Sequence, residues 1–139
     1  MEVPVLTFGP APETLPCTHT DLREWLPDDP FGVRLVATGH HFDAVKVPDP
    51  LARAVVAALG GHETSFIEDL SEGSCLWLVT PGSIDAPTAA RNGYAVLSVG
   101  WHIGVPGRQG TTRRQWNGPH PRLTQPCLLQ QAIERATQP

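Results

Sequence analysis

Hydrophobic and polar positions along the chain divide into short β-like runs and a few amphipathic stretches. FDAVKVP (42–48), CLWLVTPG (75–82) and WHIGVPG (101–107) are alternating or continuous apolar runs, and each is cut by a proline. Proline has no N–H to give a sheet ladder, so it marks the strand ends. VRLVAT (33–38) precedes the first run, and the linking GHH predicts a hairpin or tight connection between the two strands. TSFIED (64–69) stands one short loop before CLWLVT (75–80), which is hairpin spacing. YAVLSV and WHIGVP read as a further strand pair turned at Gly100, and RQW (114–116) as an edge strand.

The remaining periodic stretches predict helices. In TDLREWLPDDP, Asp21 caps a short helix with Glu24 three positions on; Leu22, Trp25 and Leu26 share a face and Pro27 ends it. DPLARAVVAALGG has Asp49 at the N-cap, Pro50 at the first helical position and Gly60 as the stop, with Leu51, Ala54, Val55, Ala58 and Leu59 on the sheet-facing side. SIDAPTAARNG gives a short helix closed by Gly93. A last helix from Gln125 to Ala136, capped by Thr124, buries Leu128, Leu129, Ala132 and Ile133. Connections between several strand pairs are too short for crossovers, so the pattern predicts an α+β single domain, a mainly antiparallel sheet backed by helices. Four prolines and no periodicity make residues 1–16 an irregular N-terminal arm, with the domain proper at 17–139.

Composition narrows the class. The 139 residues are enough to bury one core without disulfide or metal staples. No apolar run approaches the roughly 20 residues of a membrane helix. The start MEVPVLTFGPAPETLP lacks the basic and apolar regions of a secretory signal, so the expected location is cytoplasmic, with no membrane partner. Cys17, Cys75 and Cys127 are odd in number and have no C-x-x-C spacing, which predicts reduced, mostly buried thiols rather than a disulfide framework or zinc ribbon.

Charge is unevenly placed. Residues 1–90 hold 13 acidic against 4 basic side chains, whereas residues 91–139 hold 6 arginines against Glu134 alone. The segment 108–122 mixes Arg108, Arg113, Arg114 and Arg122 with Trp116, the combination of cation and ring that nucleic-acid surfaces use. The same segment also reads as a solvated loop that balances the acidic half, and Trp116 as an edge-strand packing residue. Trp77 and Trp101 lie within strand runs and are expected in the core.

Other chemistry finds little support. His41 and Asp43 fall on one face of an extended strand and His40 on the other, so a metal site needs a third ligand such as His62 or His102 from elsewhere. Cys75 within an apolar run reads as a small core residue rather than a nucleophile paired with His102. GHH and LGGHE match neither a phosphate loop nor a dinucleotide fingerprint.

The succession FDAVKVP, helix, SEGSCLWLVTPG, helix, then NGYAVLSVGWHIGVPG and a later tryptophan resembles the primase-polymerase domain of bifunctional DNA primase/polymerases. The likeness is to the short stand-alone actinobacterial versions and covers about residues 20–136. It implies a fold in which a pair of carboxylates on the first motif strand and a later third carboxylate hold two divalent ions, Mg²⁺ or Mn²⁺, for nucleotidyl transfer. Of that set only Asp43 has a match. Ala44 and Val45 follow it, Cys75 stands where the family has a triphosphate-contacting histidine, and Gly93 to Leu97 offer no third carboxylate. One aspartate does not organise two ions, so the resemblance implies a catalytically silent relative without cofactor that binds nucleic acid or a nucleotide. The alternatives are a divergent metal-dependent primase/polymerase using Asp43 with Glu68, Asp69 or Asp85, and a protein-interaction or regulatory module.

Overall fold

The computed structural model describes residues 22–60, 64–118 and 121–138. The expected arm at 1–16, Cys17, the Asp21 cap and His62 lie outside them. A 3-10 helix, Leu22–Trp25, leads into β1 (Val33–Ala37), β2 (Asp43–Pro48), α1 (Leu51–Leu59), β3 (Phe66–Asp69) and β4 (Ser74–Val79). α2 (Ala86–Arg91), β5 (Ala95–Leu97), β6 (His102–Pro106), β7 (Arg114–Asn117) and α3 (Pro126–Thr137) complete the order. The class is α+β, as expected. Five strands form one antiparallel sheet in the order β5-β2-β4-β3-β7, and β1 with β6 forms a separate two-stranded ribbon. Within the larger sheet, β2-α1-β3-β4-α2-β5 makes a split β-α-β arrangement, to which β7 adds an edge.

Period-two alternation explains the layers. Val45, Val47, Cys75, Trp77 and Val79 face the helices, joining Ala52, Val55 and Leu59 of α1 and Leu129, Ala132 and Ile133 of α3 in one core. Ala44, Ile67, Leu76 and Leu78 face the other way, against Val36, Ile103 and Val105 of the ribbon. β4 is buried at every position, which is why its run reads as continuously apolar. Helices, sheet and ribbon therefore stack as three layers around two cores. Among the described residues, no helix is long and apolar enough to cross a membrane.

β3 and β4 pair as the expected hairpin, and β7 is the expected edge strand, lying beside β3. Two other expectations are corrected. β1 and β2 are joined by the tight connection and not as a hairpin, and β5 and β6 do not pair with each other: β1 pairs with β6 while β2 pairs with β5. Each strand–turn–strand segment is one arm of a corner that runs from ribbon to sheet, and the two corners lie side by side. Thr38 N donates to Trp101 O at 2.9 Å, and a Cβ on Gly39, at φ +99°, would come within 2.5 Å of Val99 N. Strands that change sheets at a bend produce this geometry, and local spacing alone does not distinguish it from a hairpin.

Helix starts differ too. Pro50, not Asp49, is the N-cap of α1, without a side-chain cap; Ala52, Val55 and Leu59 are its buried residues, with Leu51 and Ala58 packed at the margin. α3 starts at Pro126 after Gln125 rather than under a Thr124 cap. Thr124 is buried and its N–H donates to Leu78 O at 2.8 Å, so it ties the chain to the end of β4 instead. Asp85 caps α2 by accepting from Thr88 N at 3.0 Å.

Candidate functional site

The basic segment divides into an inward and an outward half. Arg114, on β7, donates through Nη2 to Asp69 Oδ2 at 2.7 Å and through Nη1 to Gly104 O at 3.1 Å. Trp116, two residues on and on the same side of the strand, donates through Nε1 to Pro106 O at 2.8 Å and packs against the ribbon-side core. Both side chains thus seal the outer edge of β6 by bonding alternate carbonyls. Arg108, Arg113 and Arg122 are exposed. Arg108 borders a shallow recess of ≈ 300 Å³ with Leu26, Pro27, Asp28 and Pro30.

The carboxylates proposed as metal ligands are each committed to hydrogen bonds within the fold. Asp43 is buried, and its Oδ2 accepts from Gly82 N at 2.8 Å, bracing the turn that follows β4. Its Oδ1 is buried without a partner among the described residues. Asp69 Oδ1 accepts from the Ser71 hydroxyl and from the amides of Ser71 and Glu72, closing the β3–β4 turn. Glu68 Oε1 accepts from Asn117 at 3.0 Å and Gln115 at 3.3 Å across the β3–β7 pair. Asp85 is the α2 cap. Among the described residues, no three His, Cys, Asp or Glu side chains converge as a metal site. His41 does not align with Asp43 on a strand face; it is exposed and stacks on Trp25 with ring centroids 4.3 Å apart. Burial pushes the Cys75 thiol up to about 12, with Glu68 and Asp49 adding to the effect, which disfavours a thiolate there; of the thiols expected to be buried, Cys127 is exposed.

Open surface chemistry gathers instead on the ribbon. Gly107 N donates to Gly32 O and Thr38 N to Trp101 O, so the even-numbered residues of β1 carry its bonds to β6. Val33, Leu35 and Ala37 turn their N–H and C=O groups to the other edge, where no described strand lies. Their side chains are exposed as well, Leu35 at 70%. Trp101, expected in the core, is 57% exposed because it sits at the corner beside Thr38. Trp77 is fully buried, as expected. Of the large apolar side chains exposed among the described residues, Phe31, Val33, Leu35, Val99 and Trp101 all belong to the ribbon and its flanking turns; only Val56 and Leu70 lie elsewhere.

Along this edge runs a recess of ≈ 270 Å³ lined by Arg34, Leu35, Val36 and Ala37 on one side and Trp25, His40 and His41 on the other. Arg34 sits over the Trp25 ring at 5.7 Å and donates to Glu24 O at 2.8 Å. The lining includes three basic side chains and no carboxylate. Of these residues only His40 and His41 stood out in the sequence, as candidate metal ligands rather than as part of this recess. Val33 and Leu35 flanking Arg34 was the available signal: a strand apolar on the face away from the sheet it packs on. No family model, no curated protein and no solved structure matches the chain.

Proposed function

We propose that the protein is a non-catalytic, primase-polymerase-like domain that acts as a protein-interaction module, taking up an extended segment along the free edge of β1. The observation that carries this reading is the open edge itself. Native sheets normally blunt an edge strand with charge, proline, a bulge or a covering element, because unpaired N–H and C=O groups template another strand. β6 is covered in this way by Arg114 and Trp116, whereas among the described residues the outer edge of β1 has no strand beside it and carries an apolar stripe. Strand addition draws affinity from main-chain bonds and specificity from pockets for alternate side chains, and the recess beside Leu35 supplies such a pocket. The commitment of Asp43, Glu68, Asp69 and Asp85 to turns, caps and cross-strand bonds supports the non-catalytic part.

Selection from a displayed library of short peptides tests the reading. Leu35→Pro removes a donor that faces away from β6, so the ladder survives and the edge is lost. Wild-type protein is expected to enrich sequences of alternating apolar residues, and the variant to enrich none of them; equal enrichment by both overturns the proposal.

A second reading, nucleic-acid binding, is favoured by Arg108 and Arg113 in the open and by the cation-and-ring lining of the Trp25 recess. It expects affinity for single-stranded DNA or RNA that falls steeply with salt as counterions are released, and that weakens in Arg108→Ala/Arg113→Ala. Titration of a labelled oligonucleotide at two salt concentrations decides it, since salt-independent or absent binding removes the reading.

A further inference from the structure

We infer that the partner of the β1 edge is a second copy of this chain, joined by antiparallel pairing of β1 with β1 about a two-fold axis at Leu35. The inference rests on the strand-addition reading above and names its occupant. Antiparallel pairing of a strand with itself is isologous, so one surface supplies both halves of the contact. Register then decides whether the bonds fit. With Leu35 opposite Leu35, Val33 falls opposite Ala37 and Ala37 opposite Val33. All three positions are the outward-facing ones fixed by the β1–β6 ladder, so each meets a residue with its N–H and C=O aimed across the axis. No other strand order of the described residues uses these groups. The product is a four-stranded sheet, β6-β1-β1-β6, in place of two separate two-stranded ribbons.

Charge complements the register. The turn before β1 carries exposed Asp28 and Asp29, while the turn after it carries exposed His40 and His41. Gly32 N donates to Asp29 O and Gly39 N to Phe42 O, so both segments turn off the strand line; because the paired strands run antiparallel, the acidic turn of one copy lies at the same end of the interface as the histidine turn of the other. The apolar stripe of Val33 and Leu35 also becomes continuous across the axis, shielding side chains that the single chain leaves to solvent. An interface of one short strand belongs to the small, weak class, which predicts self-association that depends on concentration.

Sedimentation velocity of the full chain from low micromolar to submillimolar concentration tests this, with Leu35→Pro and Leu35→Lys alongside and far-UV circular dichroism as the check of folding. The wild-type average mass is expected to rise from 15.0 kDa toward twice that value, while both variants remain monomeric with unchanged spectra. Two variants are used because proline alters the backbone and lysine only the exposed side chain; either one that folds suffices. A wild-type monomer at every concentration overturns the inference, and so does a dimer unaffected by the folded variants. If that monomer still selects alternating peptides through Leu35, the strand-addition reading survives and only the choice of occupant fails. Slow amide exchange at Leu35 and Ala37 in the monomer places the occupant within the chain and overturns both.

Discussion

Trp77→Ala is expected to cost about 4 kcal/mol of folding stability, near the middle of the range for truncating a buried aromatic. Trp77 is fully buried at the centre of the middle strand, opposite Val45, with its ring 4.8 Å from that of Phe66. It fills the space between the sheet and the α1 and α3 helices, so truncation removes apolar burial and leaves a cavity that two rigid layers cannot close. For a domain of marginal stability this is a large share of the total. Trp77→Phe carries the opposite lesson. The indole Nε1 is buried without a hydrogen-bond partner among the described residues, a standing penalty that phenylalanine removes. Lost volume and lost penalty then offset each other, and the expected change is within about 1.5 kcal/mol. Urea denaturation followed by far-UV circular dichroism measures both; a phenylalanine variant as unstable as the alanine one would show that the ring N–H is not costly.

Strands and helices were visible in the sequence because their signals are local. Proline stops and the glycines after α1 and α2 each act within a few residues of where they stand. Partner choice was not visible. The pieces 33–48 and 95–106 each contain two strands and a glycine-bearing turn, and a hairpin and a corner make the same demand on such a turn. What separates them is the contact of Gly39 with Val99 and of Thr38 with Trp101, between positions some sixty residues apart. Trp101 was misplaced for the same reason: its apolar run implies a core position, but the run begins at the corner, where the ribbon has already left the sheet.

The site follows the same logic. Trp25, Arg34 and His41 come from a 3-10 helix, a strand and a turn, and only the fold brings them to one recess. The sequence instead drew attention to a tract in which arginines and a tryptophan are adjacent. Adjacency on a strand is a poor guide, because successive side chains point to opposite sides. Arg113 ends exposed and Arg114 ends clamped between sheet and ribbon.

That difference predicts unequal consequences for two neighbouring arginines. Arg114→Ala is expected to cost about 3 kcal/mol, the low end for breaking a buried ion pair, because the guanidinium is partly exposed but the Asp69 carboxylate left behind is not. Arg113→Ala is expected to change stability by less than about 0.5 kcal/mol. Acid provides the diagnostic. Burial pushes the Asp69 carboxyl up, but bonds from the Ser71 hydroxyl and the Glu72 and Ser71 amides, together with the Arg114 charge, outweigh it and hold the group below its ordinary 3.8. A carboxylate depressed in the folded state contributes its full stability above the unfolded value and loses it as pH falls through the lower folded value. The gap between wild type and Arg114→Ala should therefore be full near neutrality and shrink below about pH 4, as protonation of Asp69 dissolves the pair in the wild type too. Urea midpoints of the three proteins at neutral and acidic pH measure this. A gap that is unchanged in acid would assign the role of Arg114 to its bond with Gly104 O, holding ribbon to sheet without help from charge.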